Sequence, residues 1–515
     1  MKRLVLLVLG CNFIISLMAQ HQNILISDQN NPNEPSIFIN KKNTNEIVGG
    51  SNLSNVYKSI DGGLTWSNST MSSSYGVWGD PVISADTAGN FYFLHLSNPQ
   101  QGNWIDRIVC QKMAAGTNTW NDGSFTGLND KKMQDKHWIA IDPKTNYMHV
   151  SWTEFDKYAS TNPADSTRIL YSRSEDSGET WSNPIKINEV SGDCIDSDNT
   201  VEGAVPAIGP NGEIYDVWVG PVGLVFNKSL DGGHTWMKKN IFISDVPGGW
   251  DYAIPGIYRC NGLPFTDCDH SGGQYNGNIY VNWTDQRNGE TDTDIWLSRS
   301  SDGGTTWSTP IRVNNDGPGK QQFFSSMTVD QVTGYIWVVF YDRREYTDAR
   351  TDVYMAVSKN GGESFDNFKL SETPFLPDEG IFFGDYTGVS AHNNIVRPIW
   401  TRLDQNKLSI WTAIVDINTT STISQIIPKD DTSIAPNPAK NKAFYSFSVH
   451  NQDIVKISLK DFNGNFIAVL KKGMYPPGKY IEEIDTNKLN LPAGVYIVEK
   501  LIGDQIKSSK LIIGK

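Results

Sequence analysis

Helical periodicity is nearly absent from this 515-residue sequence; its apolar residues alternate with polar ones instead, which points to an all-β chain. Positive charge is in deficit, with 44 Lys and Arg against 57 Asp and Glu and a net charge of −13. A nucleic-acid partner needs clustered basic residues, so that class is excluded, while neutral or cation-bridged glycans are not. Beyond the N-terminus no apolar run is long enough for a membrane-spanning helix. Cysteine is scarce, with five residues, and the spacings match no zinc site. No phosphate-binding loop, nucleophile elbow or metal-ligand His cluster occurs.

Apolar residues make up 38% and aromatics 11%, with 16 Trp, which is enough for a packed core. The length allows two or three domains. The first residues, MKRLVLLVLGCNFIISLMAQ, carry a basic start, an apolar run and a small-residue cleavage site. They read as a Sec signal peptide over 1–19, with the mature chain starting at Gln20. Cys11 follows Leu9-Gly10 in the manner of a lipoprotein site, but the apolar run continuing past it favours ordinary cleavage. Export permits disulfides. Cys260 and Cys268 flank CNGLPFTDC and are the expected pair; the pairing of Cys110 and Cys194 stays open.

One eight-residue segment recurs: SIDGGLTW (59–66), SEDSGETW (174–181), SLDGGHTW (229–236), SSDGGTTW (300–307) and SKNGGESF (358–365). A decayed copy, GTNTW, ends at Trp120. The closing aromatics then lie 54, 61, 55, 71 and 58 residues apart. A period of this size with several short strands per unit is the signature of a β-propeller. NIYVNWTD (278–285), DIWLSRS (294–300) and STPIRVN (308–314) illustrate the alternation within one unit. First strands are expected near Ser36, Val82, His137, Pro206, Tyr252, Ser325 and Thr387, giving seven blades, or six if the second unit is incomplete. The last unit lacks an outer strand. NILISD (23–28) resembles NIFISD (240–245), so the N-terminal strand is expected to close the ring and remove its free edges.

In each repeat the acid, Asp61, Asp176, Asp231, Asp302 or Asn360, can accept hydrogen bonds within its own turn, and the glycines permit positive φ. Five copies spread round a ring cannot meet at one active site. The expected role is structural, stapling hairpins and neighbouring blades, with calcium or partner binding at the outer turns as the alternative; no cofactor is expected. These segments resemble the Asp-box, or bacterial neuraminidase, repeats, and about 33–416 resembles sialidase-like propellers. The same boxes occur in lyases, other glycosidases and non-enzymatic propellers.

Chemistry is expected on the face opposite the boxes, where the chain enters each first strand. Those segments read NEPSI, WGDPV, QDKHW, VEGAVP, GWDYAIP, KQQFF and FGDYTG, and six of the seven units place a carboxylate there. Asp385, Tyr386, Glu202 and Asp251 are the catalytic candidates. Asp80, Asp135, Tyr252, Arg287, Arg343 and Arg402 are the substrate-binding candidates, the arginines coming from Asp-x-Arg and related loops that are also commonly structural ion pairs. Resemblance to retaining sialidases implies three arginines gripping a carboxylate, a Tyr–Glu nucleophile pair and an Asp acid/base. This sequence departs from that pattern: 33–66 holds no Arg, and NEPSIFIN stands where an Arg-Ile-Pro motif is expected.

After Asp416 a polar linker (417–433) leads into IAPNPAKNKAFYSFSV, GVYIV and a terminal KLIIGK. Short strands with tight turns fit a small β-sandwich over 434–515. The segment resembles the C-terminal sorting domain of the type IX secretion system of Bacteroidetes, which implies engagement of that machinery and a final location outside the cell or on the outer-membrane surface. Taken together, the sequence suggests a monomeric exported propeller acting on extracellular glycan or glycoprotein, by glycoside hydrolysis. A non-catalytic binding propeller and a uronate polysaccharide lyase are the alternatives.

Overall fold

The computed structural model describes residues 21–416 and, apart from 436, 440, 441, 450, 451, 476, 477 and 487, residues 434–514. The expected signal peptide and linker lie outside the described residues. The chain divides into two compact units, meeting at Val415 and Asp416.

In the first unit the alternation seen in the sequence becomes a series of antiparallel sheets in which consecutive strands are neighbours. The first sheet runs Ser36–Ile39, Ile47–Ser51, Asn55–Ser59, Ser67–Thr70. Five more four-stranded sheets follow in the same order, starting at Gly79–Ala85, Met133–Ile141, Glu202–Ile208, Phe265–Cys268 and Gln322–Val329. The second unit of the repeat therefore carries all four strands. The seventh sheet contains Gly388–His392, Ile395–Asp404 and Lys407–Ala413, with Val415–Asp416 beside the middle strand. Its outer strand is Asn23–Ser27, paired antiparallel with Lys407–Ala413 as the sequence suggested. The first strand of each sheet lies against the first strand of the next, and the seventh against the first, so the sheets form a closed circuit.

Because each sheet packs between two others, its middle strands are buried on both faces. Ile279–Asp285 (IYVNWTD) is buried at every position, and Trp152, Trp218, Trp283, Trp337 and Trp400 are among the largest fully buried side chains. In that strand the Asn282 amide donates to the Trp296 carbonyl at 2.9 Å.

The repeat segments join the third and fourth strands of their sheets. Asp61 accepts from the Ser59 hydroxyl (2.8 Å), the Leu64 and Thr65 amides (3.1 and 2.9 Å) and the Thr65 hydroxyl (2.6 Å). Asp176, Asp231 and Asp302 repeat the pattern, and Asn360 accepts from the Ser364 amide at 3.1 Å. These bonds hold the Asp61 carboxyl down at about 2, the Thr65 hydroxyl contributing most. The closing aromatics reach the preceding sheet: Trp236 packs edge-on to Tyr171 (4.8 Å), Trp307 to Phe226 (5.3 Å), and the Trp181 indole donates to Ser124. Gly233 shows why its position is glycine. Its φ is +86°, and a Cβ there would stand 1.8 Å from the Tyr171 hydroxyl.

Two expectations are corrected. The fifth sheet begins at Phe265, not near Tyr252. Asp251–Tyr252 pairs instead with Cys260–Asn261 in a separate hairpin, an insertion that explains the long 71-residue spacing. Cys260 and Cys268 are buried and unbridged, as are Cys110 and Cys194. Cys260 belongs to that hairpin and Cys268 to the fifth sheet, so the short loop between them spans two elements rather than closing one.

The second unit holds a sheet of Ile434–Ala435, Lys442–Val449 and Gly478–Asp485 and a sheet ordered Phe466–Tyr475, Asp453–Asp461, Gly494–Ile502, Gln505–Ile513. One apolar core that includes Tyr445, Phe447, Ile457, Val498 and Leu511 joins them.

A charged cup at the mouth of the ring

The first strands of several sheets begin with the same distortion. The register slips between Gly79 and Val82, Asp135 and Trp138, Glu202 and Val205, and Phe323 and Ser326. Two residues ahead of the regular pairing stand, in ring order, Glu34, Asp80, Lys136, Gly203, Leu263, Phe324 and Tyr386. Four non-glycine members have positive φ: Glu34 (51°), Asp80 (50°), Lys136 (48°) and Phe324 (50°). Such backbone costs on the order of 1–3 kcal/mol per residue and gathers at functional sites. Here the bulge turns one side chain per sheet toward the axis. Three neighbouring positions of the ring are charged and three are apolar, with Gly203 leaving a gap between the two groups.

Lys136 sits among the acids. Its ammonium lies 2.7 Å from Asp385, 3.6 Å from Asp80 and 3.9 Å from Glu34. Arg259, from the inserted hairpin, grips Asp385 with both branches of its guanidinium, one at 2.8 Å, and stands 3.8 Å from Asp196. Asn261 donates to the Asp385 carbonyl at 3.0 Å. Burial alone would raise the Asp385 carboxyl, but Lys136 and Arg259 overrule it and hold it far below the usual carboxylate range. Its neighbours go the other way. Burial, then the charge of Asp80, pushes Asp135 up to about 8. Burial, then Asp196 and Asp135, raises Glu202; burial and Asp80 raise Glu34. No donor reaches either carboxyl oxygen of Glu202 among the described residues, so carrying a proton is what allows it to face Asp196.

Trp138 stands below the acids, edge-on to Phe265 (5.1 Å) and Tyr386 (5.7 Å), and divides the mouth from the channel. The channel encloses about 170 Å3. The cavity above it, lined by six of the seven ring positions and by Asp385, holds about 40 Å3. That is room for roughly three waters. A smaller side cavity of about 30 Å3 is lined by Asp196, Glu202, Asp251 and Arg259. Tyr386 keeps its proton, burial and then Asp80 raising it, and its hydroxyl has no partner. Among the described residues no group of three or more His, Cys, Asp or Glu is placed to hold a metal ion.

The structure thus brings together Asp385, Tyr386 and Asp80 in one cavity, with Glu202 and Asp251 lining the side cavity and Asp135 buried behind them within the field of Asp80, lining neither. Others it disperses. Tyr252 is buried and donates to the Asn261 carbonyl at 3.2 Å. Arg287 pairs with Asp285 (2.9 Å) and stacks on Trp296 (4.4 Å). Arg343 donates to Thr351 (3.0 Å) and the Pro255 carbonyl (2.7 Å) and stacks on Phe323. Arg402 donates to Asp404 (2.9 Å) and the Thr373 carbonyl (3.0 Å). None of these four lines either cavity of the cup. Arg287 forms the structural Asp-x-Arg pair expected, whereas Arg343 and Arg402 are held by oxygens of neighbouring segments. Sequence reasoning placed Glu34 and Lys136 at the mouth of the channel without naming them as site residues, and missed Arg259 and Asp196. Lys136 and Glu34 were legible as ring positions once the first strands are aligned; Arg259 and Asp196 lie in connections that carry no pattern.

A search of curated proteins finds no match to this sequence. Among solved structures, a protein of unknown function from Dyadobacter fermentans is similar over 76% of this chain and 97% of its own, at 12% identity and a TM-score of 0.44. A Hadza microbial sialidase is similar over 73% and 74%, at 14% identity and 0.42. An ulvan lyase of polysaccharide lyase family 25 is similar over 77% and 96%, at 11% identity and 0.46. Residues 433–514 match the family described as a secretion system C-terminal sorting domain, so the tail carries an export signal.

Proposed function

We propose that this protein is an exported, seven-bladed, sialidase-like propeller that cleaves glycosidic bonds of extracellular glycans at the cup. The observation that carries this reading is the opposition of protonation states within one small site. Burial and neighbouring charge push Asp135 up to about 8 and raise Glu202, while Lys136 and Arg259 hold Asp385 far below the usual carboxylate range. Glycoside hydrolysis needs a carboxyl that donates to the leaving oxygen and an anionic partner that stays charged. In this assignment Asp135 or Glu202 is the acid, Asp385 is the anionic partner, and the unpartnered hydroxyl of Tyr386 donates to the substrate. Among the described residues, Lys136 and Arg259 alone supply cations to the cavities of the cup, which favours neutral or uronic sugars over a ligand needing a three-arginine grip. The Asp-box repeats hold the scaffold, and the C-terminal sandwich addresses the monomeric protein to the type IX machinery of a Bacteroidetes cell, for release or surface attachment.

A second reading, glycan binding without catalysis, is favoured by the 40 Å3 cavity, which takes waters but no pyranose ring. The two are separated by screening the protein against sialosides, uronate polysaccharides and neutral glycans alongside Asp135→Asn and Asp385→Asn. Hydrolysis lost in both variants supports catalysis at the cup. Binding without turnover by every form supports the second reading, and turnover that survives both substitutions overturns the site.

A further inference from the structure

Three aromatic rings stand beside the cup, and one of them, Tyr158, is bonded to its acid cluster. Trp78 lies two residues ahead of Asp80. Trp104 belongs to the loop between the second and third strands of the second sheet, and Tyr158 to the equivalent loop of the third. All three therefore open on the face that bears the cup. Trp78 and Trp104 meet edge to face at 5.8 Å and 89°, and Trp104 and Tyr158 at 5.6 Å and 86°. The file is joined to the cup at its inner end, where the Tyr158 hydroxyl donates to Asp196 at 2.5 Å. Asp196 in turn faces Arg259 and Glu202. At the outer end Trp78 is 37% exposed, although its backbone is pinned by a 2.9 Å bond to the Leu96 carbonyl.

A large ring left open on a fixed backbone, continuous with a polar site, suits a ligand with an apolar face and a polar rim. A pyranose has that shape: its axial hydrogens form an apolar face and its hydroxyls point outward. The cavity at the cup, about 40 Å3, is too small for a pyranose ring, so the sugar units of a glycan that reaches the acids must lie largely outside it.

We infer that the Trp78–Trp104–Tyr158 wall is a second sugar-binding subsite, which stacks a neutral pyranose next to the unit held at the cup. The ligand is then an oligosaccharide or polysaccharide rather than a free monosaccharide. This rests on the carbohydrate reading of the cup and adds a chain-length requirement to it. Trp78 and Trp104 are binding residues here, remote from any bond-breaking step.

The test is calorimetric titration of the full chain with neutral gluco-, manno-, galacto- and arabino-oligosaccharides of one to six units. The wild type should bind longer chains more tightly than the monosaccharide. Trp78→Ala should weaken the longer chains about tenfold, a difference of about 1.4 kcal/mol, and leave the monosaccharide unchanged. Trp78→Phe, which keeps a ring, should retain most of the affinity and guards against a folding defect in the alanine variant. Affinity independent of chain length, or an equal loss for short and long ligands, overturns the subsite while leaving the cup reading intact. If the wild type binds none of these neutral sugars but still turns over an acidic glycan at the cup, the neutral subsite falls alone. If it neither binds nor cleaves any glycan, both readings fall. If Trp78→Ala changes binding of a hydrophobic dye and of no sugar, the wall docks apolar protein surface and the inference is wrong.

Discussion

Replacing Asp135 by asparagine should make the protein more stable as the pH rises. Burial and the charge of Asp80 push the Asp135 carboxyl up to about 8, from its ordinary value of 3.8. Between those values the folded state keeps a proton that the unfolded chain releases. The native form then binds more protons, and stability falls by about 1.4 kcal/mol for each pH unit gained. From pH 5 to pH 8 this single group sets a ceiling of about 4 kcal/mol. Neighbouring acids share the proton, so about 2 kcal/mol is the expected effect. Asparagine keeps an oxygen to accept the Lys136 amide, now bonded to Asp135 at 2.8 Å, and it carries no charge to desolvate. Urea unfolding of both forms at pH 5 and pH 8 measures the gap. It should widen by about 2 kcal/mol toward pH 8 in favour of the variant. A gap that stays flat, or narrows as pH rises, would refute the placement of a proton-bearing acid in the cup. Stability gained together with lost activity would mark Asp135 as an acid held at energetic cost for function.

Asp385→Asn should have the opposite effect, costing about 3 kcal/mol at pH 7 because Lys136 and Arg259 lose their shared anion; Arg259 is partly solvated, which limits the loss. Since the folded state depresses this carboxyl, its stabilisation is present above the unfolded value and fades as pH falls, so urea midpoints of variant and wild type should converge in acid. Gly233→Ala, whose Cβ would meet the Tyr171 hydroxyl, should cost about 3 kcal/mol or more, whereas Gly232→Ala, with open space around it, should cost about 1 kcal/mol; thermal unfolding of the two separates packing from backbone strain. Removing residues 21–28 strips the outer strand from Lys407–Ala413 and leaves that edge unpaired, so size-exclusion chromatography should show aggregates in place of a single species.

Periodic, local information was fully legible in the sequence. The eight-residue segments bond within their own turns, so their spacing gives the sheets in order, and the likeness of NILISD to NIFISD identifies the strand that closes the circuit. The fifth sheet was placed too early because Asp251-Tyr252 imitates the start of a first strand; only pairing with Cys260–Asn261 reveals an insertion. The side chains of the cup were partly legible, since Asp80, Asp135 and Asp385 open their strands with visible carboxylates. Their chemistry was not. Whether an acid there is ionised depends on Lys136 and on Arg259, which lie 249 and 126 residues from Asp385 along the chain and meet it only when the ring closes. A hydrogen-bonded turn needs only its own eight residues, so the sequence determines it. Burial and opposing charge are properties of the whole circuit, so tertiary structure alone decided which acids hold protons and which do not.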